Sequence, residues 1–361
     1  MISLQIPSNQ PLVSVVTPFY NTAEYIAECI ESVIHQTYSN WEYILLDNCS
    51  TDGSDQIAKE YAAKEPRIRL LRNSTLLPQV QNYNAALCYI SPQSTYCKMV
   101  QADDWIYPEC LERMVAIAES DRSVGIVSSY ALWGNRILGD GLPYTTTVIS
   151  GPKICRQQLM TSLFFFGSPS TVLYRSEIVR STSPFFDPST LHDDTDACYR
   201  ILRTWKFGFV HQVLSFSRAD NDSIMSRVRD FGGEPIDKLL QLSKFGPVYL
   251  EQNELATCLD ECKVNYYRFL ARRFLTGSSS AFWQYHKSGL QSGGQRIEHA
   301  SLFKHVCLEF LRLLANPGST ASLLRDRIRA KTRNNQRMRR SQNLQSQTHL
   351  SSGAPPPRDP R

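Results

Sequence analysis

The sequence predicts an α/β fold, a mostly parallel sheet flanked by helices with a helical C-terminal extension. Two observations carry this. Short apolar runs alternate with amphipathic segments through the first 130 residues, at a spacing that leaves room for one helix between strands. Residues 235–315 then carry apolar side chains three and four apart with no strand pattern. A chain of 361 residues, 42% hydrophobic and 20% charged, is long enough to bury a sizeable core.

Val13-Ser14-Val15-Val16 reads as a buried strand. Residues 22–36 read as a helix with Ile26, Ile30, Val33 and Ile34 on one face, Asn21 or Thr22 as its cap, and Glu24 and Glu28 at its positive end. Tyr43–Leu46 is a second strand ending at Asp47, residues 54–64 a second helix, and Ile68–Leu71 a third strand. A helix over 79–90 leads to a fourth strand, 96–100, which delivers Asp103 and Asp104. Pro108 suits a first helical turn and precedes Leu111, Met114, Val115 and Ala118 at helical spacing. Val124–Val127 is another strand.

Patterning is less regular over 131–230. A Gly167-Ser168-Pro169-Ser170-Thr171 loop leads into an apparent strand, Val172–Tyr174, and His192-Asp193-Asp194-Thr195-Asp196 opens a helix over 197–205. Loops are expected at 277–281 and 288–294, and disorder from about Asn334, where Gln, Ser, Asn, Arg and Pro dominate. The domain plan is an arm over 1–10, two halves of one domain over 11–130 and 131–230, a helical extension over 231–330, and a basic tail over 331–361.

The net charge of +5 is unevenly distributed: residues 325–361 hold ten Lys/Arg against two Asp/Glu, leaving a mildly acidic body. Ten scattered cysteines form no C-x-x-C pair or zinc-finger spacing, and several lie in apolar runs where cysteine behaves as a small hydrophobe. Met1–Pro11 lacks a signal peptide's basic start and apolar core, and no apolar run reaches about 18 residues. A reducing, cytoplasmic setting is expected.

Ligands of such sheets bind beyond the carboxyl ends of the strands. Three strands end there in polar groups: Thr17 to Asn21, Asp47 to Asp52, and Asp103-Asp104. Adjacent aspartates repel unless a cation or donor sits beside them, which marks that pair as a site for a hard divalent metal carrying phosphates.

In their order along the chain, Thr17-Pro18-Phe19-Tyr20-Asn21, Asp47-Asn48-Cys49-Ser50-Thr51-Asp52-Gly53-Ser54, Asp103-Asp104 and Asp193-Asp194 resemble the family 2 glycosyltransferases over about residues 11–225. The resemblance implies a GT-A fold, a nucleotide-sugar donor (UDP favoured, dTDP and GDP open), a Mg²⁺ or Mn²⁺ ion, and a single, inverting displacement. It makes Asp104 the metal ligand and gives Asp103 an orienting or metal-side role. Thr17, Tyr20, Asp47, Asn48 and Asn84 become nucleotide-side contacts. Arg218 grips the diphosphate, Asp220 stands nearest the place of a metal-binding His, and Asp194 is the general base with Asp193 as runner-up. The sequence departs from the family pattern at Gln101, where an acid is common, at Tyr83, where an Arg often precedes Asn84, and at Asn48, often an Asp.

A catalytically inactive sugar-nucleotide-binding protein of the same fold is the alternative. A dinucleotide-dependent oxidoreductase lacks its G-x-G-x-x-G after the first strand, where Pro18-Phe19-Tyr20 stands. A nucleotidyltransferase lacks its Gly-rich basic loop. The Arg-rich stretch 325–340 has no interleaved aromatics, so nucleic acid is not the expected partner. A glycan or lipid-linked acceptor of polysaccharide or cell-envelope assembly is expected. So is peripheral association of the basic tail with the inner face of a membrane.

Overall fold

Strand β1, Val13–Phe19, is buried along its whole length, as a strand covered on both faces must be. The computed structural model describes residues 10–161, 163–190, 192–219 and 231–315. After β1 come α1 (Ile26–Ile34), β2 (Trp41–Asp47), α2 (Ser54–Lys64), β3 (Ile68–Arg72), α3 (Gln79–Leu87), β4 (Tyr96–Met99), β5 (Trp105–Ile106) and α4 (Cys110–Ser120). Then follow β6 (Val124–Trp133), β7 (Arg136–Leu138), β8 (Val148–Ser150), α5 (Gly151–Met160), a 3-10 turn (Pro169–Thr171), β9 (Leu173–Arg175), α6 (Ser176–Ser181), α7 (Asp193–Ile201) and β10 (Lys206–Ser217). Helices α8 (Gly233–Tyr249), α9 (Gln252–Thr276), α10 (Ser280–Ser292) and α11 (His299–Ala315) complete the described chain.

One ten-stranded sheet runs in the order β3-β2-β1-β4-β9-β6-β10-β5, with β7 on β6 and β8 on β10. β1 to β4 are mutually parallel, and β6 pairs parallel with β10. β9 runs antiparallel to both β4 and β6 and joins the two parallel blocks. One face is covered by a core including Cys29, Ile30 and Val33 of α1 and Leu111 and Met114 of α4. The other holds Ala86 of α3, Ile154 of α5, Phe166, Tyr199 of α7, and Phe245 and Tyr249 of α8. The α/β class with a helical C-terminal extension is thus observed.

Several local expectations are corrected. Helix α1 starts at Ile26 without a side-chain cap: the Asn21 Oδ1 is taken by Thr51 N at 2.8 Å, and the Thr22 hydroxyl is buried without a hydrogen-bond partner. Helix α7 begins at the acid pair and ends at Ile201, four residues earlier at each end than the expected span. Strand β10 was not anticipated. Its register against β6 shifts three times and His211-Gln212 interrupt its apolar pattern, so no clean alternation announces it. Helix α5 was missed too, although Ser150 caps it and Pro152 sits in its first turn. Helix α10 continues to Ser292 through residues expected to be a loop. β6 also crosses residue 130, so the two expected halves share a strand.

Two units divide the chain: Met1–Cys262 with Ser288–Gln295, and Lys263–Lys287 with Arg296–Arg361. The first holds the sheet. In the second, Glu309 of α11 is buried and pairs with Arg272 of α9 at 3.1 Å. No helix among the described residues is long and apolar enough to cross a membrane. Asp220 and the basic tail lie outside the described residues.

Candidate active site

The ends of β1 and β2 are tied into one rim. Asn21 adopts a positive φ of 50°, and its Oδ1 accepts from Thr51 N at 2.8 Å. Asp52 accepts from Ala23 N at 2.9 Å and Ser54 N at 3.0 Å. The Ser50–Ser54 turn is therefore structural and locks the two strand ends together. Asp47 is buried; Oδ1 accepts from Ser50 N at 2.8 Å, and Oδ2 lies 2.9 Å from Arg72 Nη1.

Three residues expected to touch nucleotide have their polar groups committed within the protein. Thr17 is fully buried and its Oγ1 donates to the Val100 carbonyl at 2.8 Å, which holds β1 to the end of β4. Asn48 Oδ1 accepts from Leu77 N and Asn73 Nδ2, both at 2.9 Å, while its Nδ2 donates to Leu77 O at 2.8 Å. The Asn48 carbonyl that a base N–H would need is spent on the 73–77 segment. Asn84 clamps the Phe186 backbone, donating to its carbonyl and accepting from its amide at 2.8 Å each. Tyr20 is different: its ring is 44% exposed at the rim.

Beyond β4 the chain turns through Gln101–Asp104, closed by Asp104 N donating to Gln101 O at 3.0 Å. Asp104 is buried and Asp103 half-buried. Asp104 Oδ2 accepts from Ser170 Oγ at 2.5 Å and Ser217 Oγ at 3.0 Å. Burial, and then the charge of Asp103, push the Asp104 carboxyl up to about 7 against the pull of those hydroxyls. Ser170 is itself held: it accepts from Gln101 N at 3.0 Å, and its carbonyl takes a hydrogen bond from the buried Lys98 ammonium. Burial brings Lys98 down to about 8. Lys98 carried no motif in the sequence, and the roles of Ser170, in the expected 167–171 loop, and of Ser217 beside Arg218 emerge only once β9 pairs with β4 and the end of β10 reaches Asp104.

The two departures at Gln101 and Tyr83 are partners: Gln101 Nε2 donates to the Tyr83 hydroxyl at 2.9 Å. That hydroxyl is buried and also takes a hydrogen bond from Gln79. After burial and its own hydrogen bonds, the charges of Asp193 and Asp103 both act on it. Arg218 lies at the same end. Its backbone amide donates to Asp104, its guanidinium stands 4.6 Å from the Tyr25 ring centre and 5.5 Å from that of Trp105, and it pairs with Glu28. Its Nε is buried without a hydrogen-bond partner.

Asp193 and Asp194 open α7 at the positive end of its dipole. Burial first, then the Asp194 charge, raise Asp193 to about 7; burial also raises Asp194, against the pull of His192. Asp193 Oδ2 is buried with no hydrogen-bond partner. His192 pairs with Asp237 of α8, a contact that nothing in the sequence announced. Burial works downward on His192, but Asp237 outweighs it and raises the imidazole to about 9. Asp196 is structural, bound to Arg200 Nε at 2.9 Å and to Lys244.

No group of three or more His, Cys, Asp or Glu among the described residues could hold a metal. Mg²⁺ or Mn²⁺ arriving on a diphosphate asks less of the protein, one or two carboxylates beside phosphate oxygens and waters. Asp103 and Asp104 fit that demand, and a bound cation would offset the cost of the buried Asp104 charge.

These features define a GT-A-type α/β domain with its polar rim at the carboxyl edge of the sheet. Residues 14–182 match the family model "Glycosyl transferase family 2". EpsE of Bacillus subtilis, a candidate glycosyltransferase, is 35% identical over 158 residues, 42% of this chain and 56% of EpsE. The chain thus spans little more than half of EpsE. Glycosyltransferase GlyG of Streptococcus pneumoniae is 27% identical over 227 residues, 59% of this chain and 73% of GlyG. Residues 1–349 of S. aureus TarS, crystallised in complex with UDP, share the fold at a TM-score of 0.54 and 17% identity, covering 78% of this chain and 79% of that one.

Proposed function

We propose that the protein transfers a sugar from a nucleotide-diphospho-sugar to a hydroxyl of a glycan or lipid-linked acceptor, with inversion. The observation that carries this is the buried Tyr83 hydroxyl, which takes a hydrogen bond from Gln101 in the Asp103-Asp104 turn at 2.9 Å and on which the charges of both Asp103 and Asp193 act, so that it links the two acid pairs. The Tyr20 ring stacks on the base, and Arg218 grips the diphosphate beside Asp103 and Asp104. Those two carboxylates hold Mg²⁺ or Mn²⁺, whose chemistry when bound is to neutralise charge on the leaving diphosphate. UDP is the first candidate donor nucleotide, supported by the shared fold of TarS, which was solved with UDP.

Asp194 takes the acceptor proton as the acceptor oxygen bonds the anomeric carbon and the bond to the diphosphate oxygen breaks. Burial raises its pKa, which strengthens it as a base. A panel of nucleotide sugars with mass-spectrometric readout of nucleotide release tests the reading. Asp194→Asn should abolish transfer and leave donor binding intact by calorimetry. Donor binding with no turnover across the panel would favour an inactive sugar-nucleotide-binding protein, and turnover by the variant would refute the base.

A further inference from the structure

Among the described residues, helix α11 carries a cluster of exposed apolar side chains. Phe303, Cys307, Phe310, Leu311 and Leu314 recur at helical spacing on one face, with Phe303 71%, Leu311 60% and Leu314 66% exposed. The opposite face is fixed: Glu309 is buried and its carboxylate lies 3.5 Å from Arg268 Nε and 3.1 Å from Arg272 Nε of α9. The outward face is therefore held in place, not a face that could roll inward. A 17-residue helix offers roughly 25 Å of such surface, far more than scattered exposed side chains explain.

Charge identifies the occupant. The chain that follows carries ten Lys/Arg against two Asp/Glu over 325–361. Residues 316–361 contain no Phe, Tyr or Trp and six large aliphatic or Met side chains, too little apolar matter to cover the face themselves. Two copies meeting through α11 would bring two strongly basic tails together, which repel. An anionic bilayer satisfies both features, since the phenyl and leucyl side chains enter the headgroup boundary while the tail meets the negative surface. One weak anchor holds poorly, whereas an apolar face plus a polybasic segment makes the two signals that stable anchoring needs.

We propose that α11 is a membrane-docking helix that lies flat on an anionic lipid surface and acts together with the basic tail. The proposal goes beyond the transfer reaction and does not depend on it. The test is co-sedimentation of the full chain with phosphatidylcholine vesicles and with vesicles that also contain phosphatidylglycerol. Binding is expected to the anionic vesicles only, and to weaken as salt rises. The double variant Phe310→Ser/Leu314→Ser should bind at least about tenfold more weakly, with unchanged circular dichroism and unchanged nucleotide-sugar hydrolysis. The triple variant Arg337→Gln/Arg339→Gln/Arg340→Gln should weaken binding independently. Unaltered binding by the double variant would show that the tail acts alone and overturn the docking role of α11. A concentration-dependent dimer in sedimentation velocity that the double variant abolishes, without vesicle binding by the parent, would reassign the face to a second copy. Failure of the parent to bind either vesicle would also refute the proposal.

Discussion

Carboxylates in this site differ by what surrounds them, not by their spacing in the sequence. Asp193-Asp194 and Asp103-Asp104 were legible as paired acids, but the cation that acts on the first pair was not. His192 pairs with Asp237, a residue 45 positions on that only the packing of α8 brings near. The charged groups acting on His192 are Asp237, Asp194 and Asp193. Because Asp237 keeps the imidazole protonated, His192 pulls the Asp194 carboxyl down. Asp237→Asn should let His192 become neutral near pH 7, so Asp194 rises further. The acid limb of the kcat/KM profile should then move to higher pH while the donor Kd stays unchanged. A profile that keeps its acid limb, in a folded variant, would mean the pair is only a packing contact. Asn48 and Thr17 teach the converse. Their positions match the family's nucleotide side, yet an amide and a hydroxyl are also good internal ligands. Here Leu77 and Val100 claim them.

At the scale of elements, the first four strands and their helices were readable because each is a buried run ended by a turn. β9 was read one residue early, as 172–174, whereas β10, broken by bulges, gave no clean pattern. They matter most for the acid pair, since the 3-10 turn before β9 brings Ser170 and the end of β10 brings Ser217 onto Asp104 Oδ2. Lys98 in β4 anchors that turn, donating to Ser170 O and, at 3.3 Å, to Val172 O. Lys98→Met keeps the length of the side chain and removes both bonds. Two buried carbonyls left unpaired should cost on the order of 2–4 kcal/mol in urea unfolding. The loosened turn should also raise the metal concentration needed for half-maximal turnover. Gly151 probes a second junction. A Cβ there would lie 2.0 Å from the Leu202 carbonyl oxygen and 2.2 Å from that of Trp205, both backbone atoms. Gly151→Ala should therefore push α5 off the end of α7 and lower the melting temperature, whereas an unchanged melting temperature would show that this junction yields freely.

For the molecule as a whole, the site leaves a thermodynamic signature in the absence of ligand. Asp104 and Asp193 are raised to about 7, and Asp194 and Asp237 are also raised, all chiefly by burial. A group whose folded pKa lies above its unfolded value stabilises fully below the unfolded value and loses that contribution as pH rises through the folded one. For Asp104 and Asp193 this loss spans about pH 4 to 7, and Asp194 and Asp237 contribute with the same sign. His192, raised to about 9 from 6.5, follows the same sign and loses its contribution between those values. Lys98 is depressed to about 8, so below that pH it is protonated in both states and adds no slope. Asp52 and Asp187 are depressed and act only under acid conditions. Between about pH 5 and 8 the folded chain thus binds more protons than the unfolded one, and its melting temperature should fall as pH rises. Asp104→Asn should flatten the slope and raise the melting temperature at pH 8 by about 2 °C or more while abolishing transfer. UDP with Mn²⁺ should flatten it in the parent chain, since a cation at Asp103 and Asp104 favours their charged form, and should do nothing to the slope of the variant. A melting temperature that holds steady or climbs from pH 5.5 to 8 without ligand would show that these acids are ionised and solvated in the folded chain, and the metal-side role of the pair would lose its electrostatic basis.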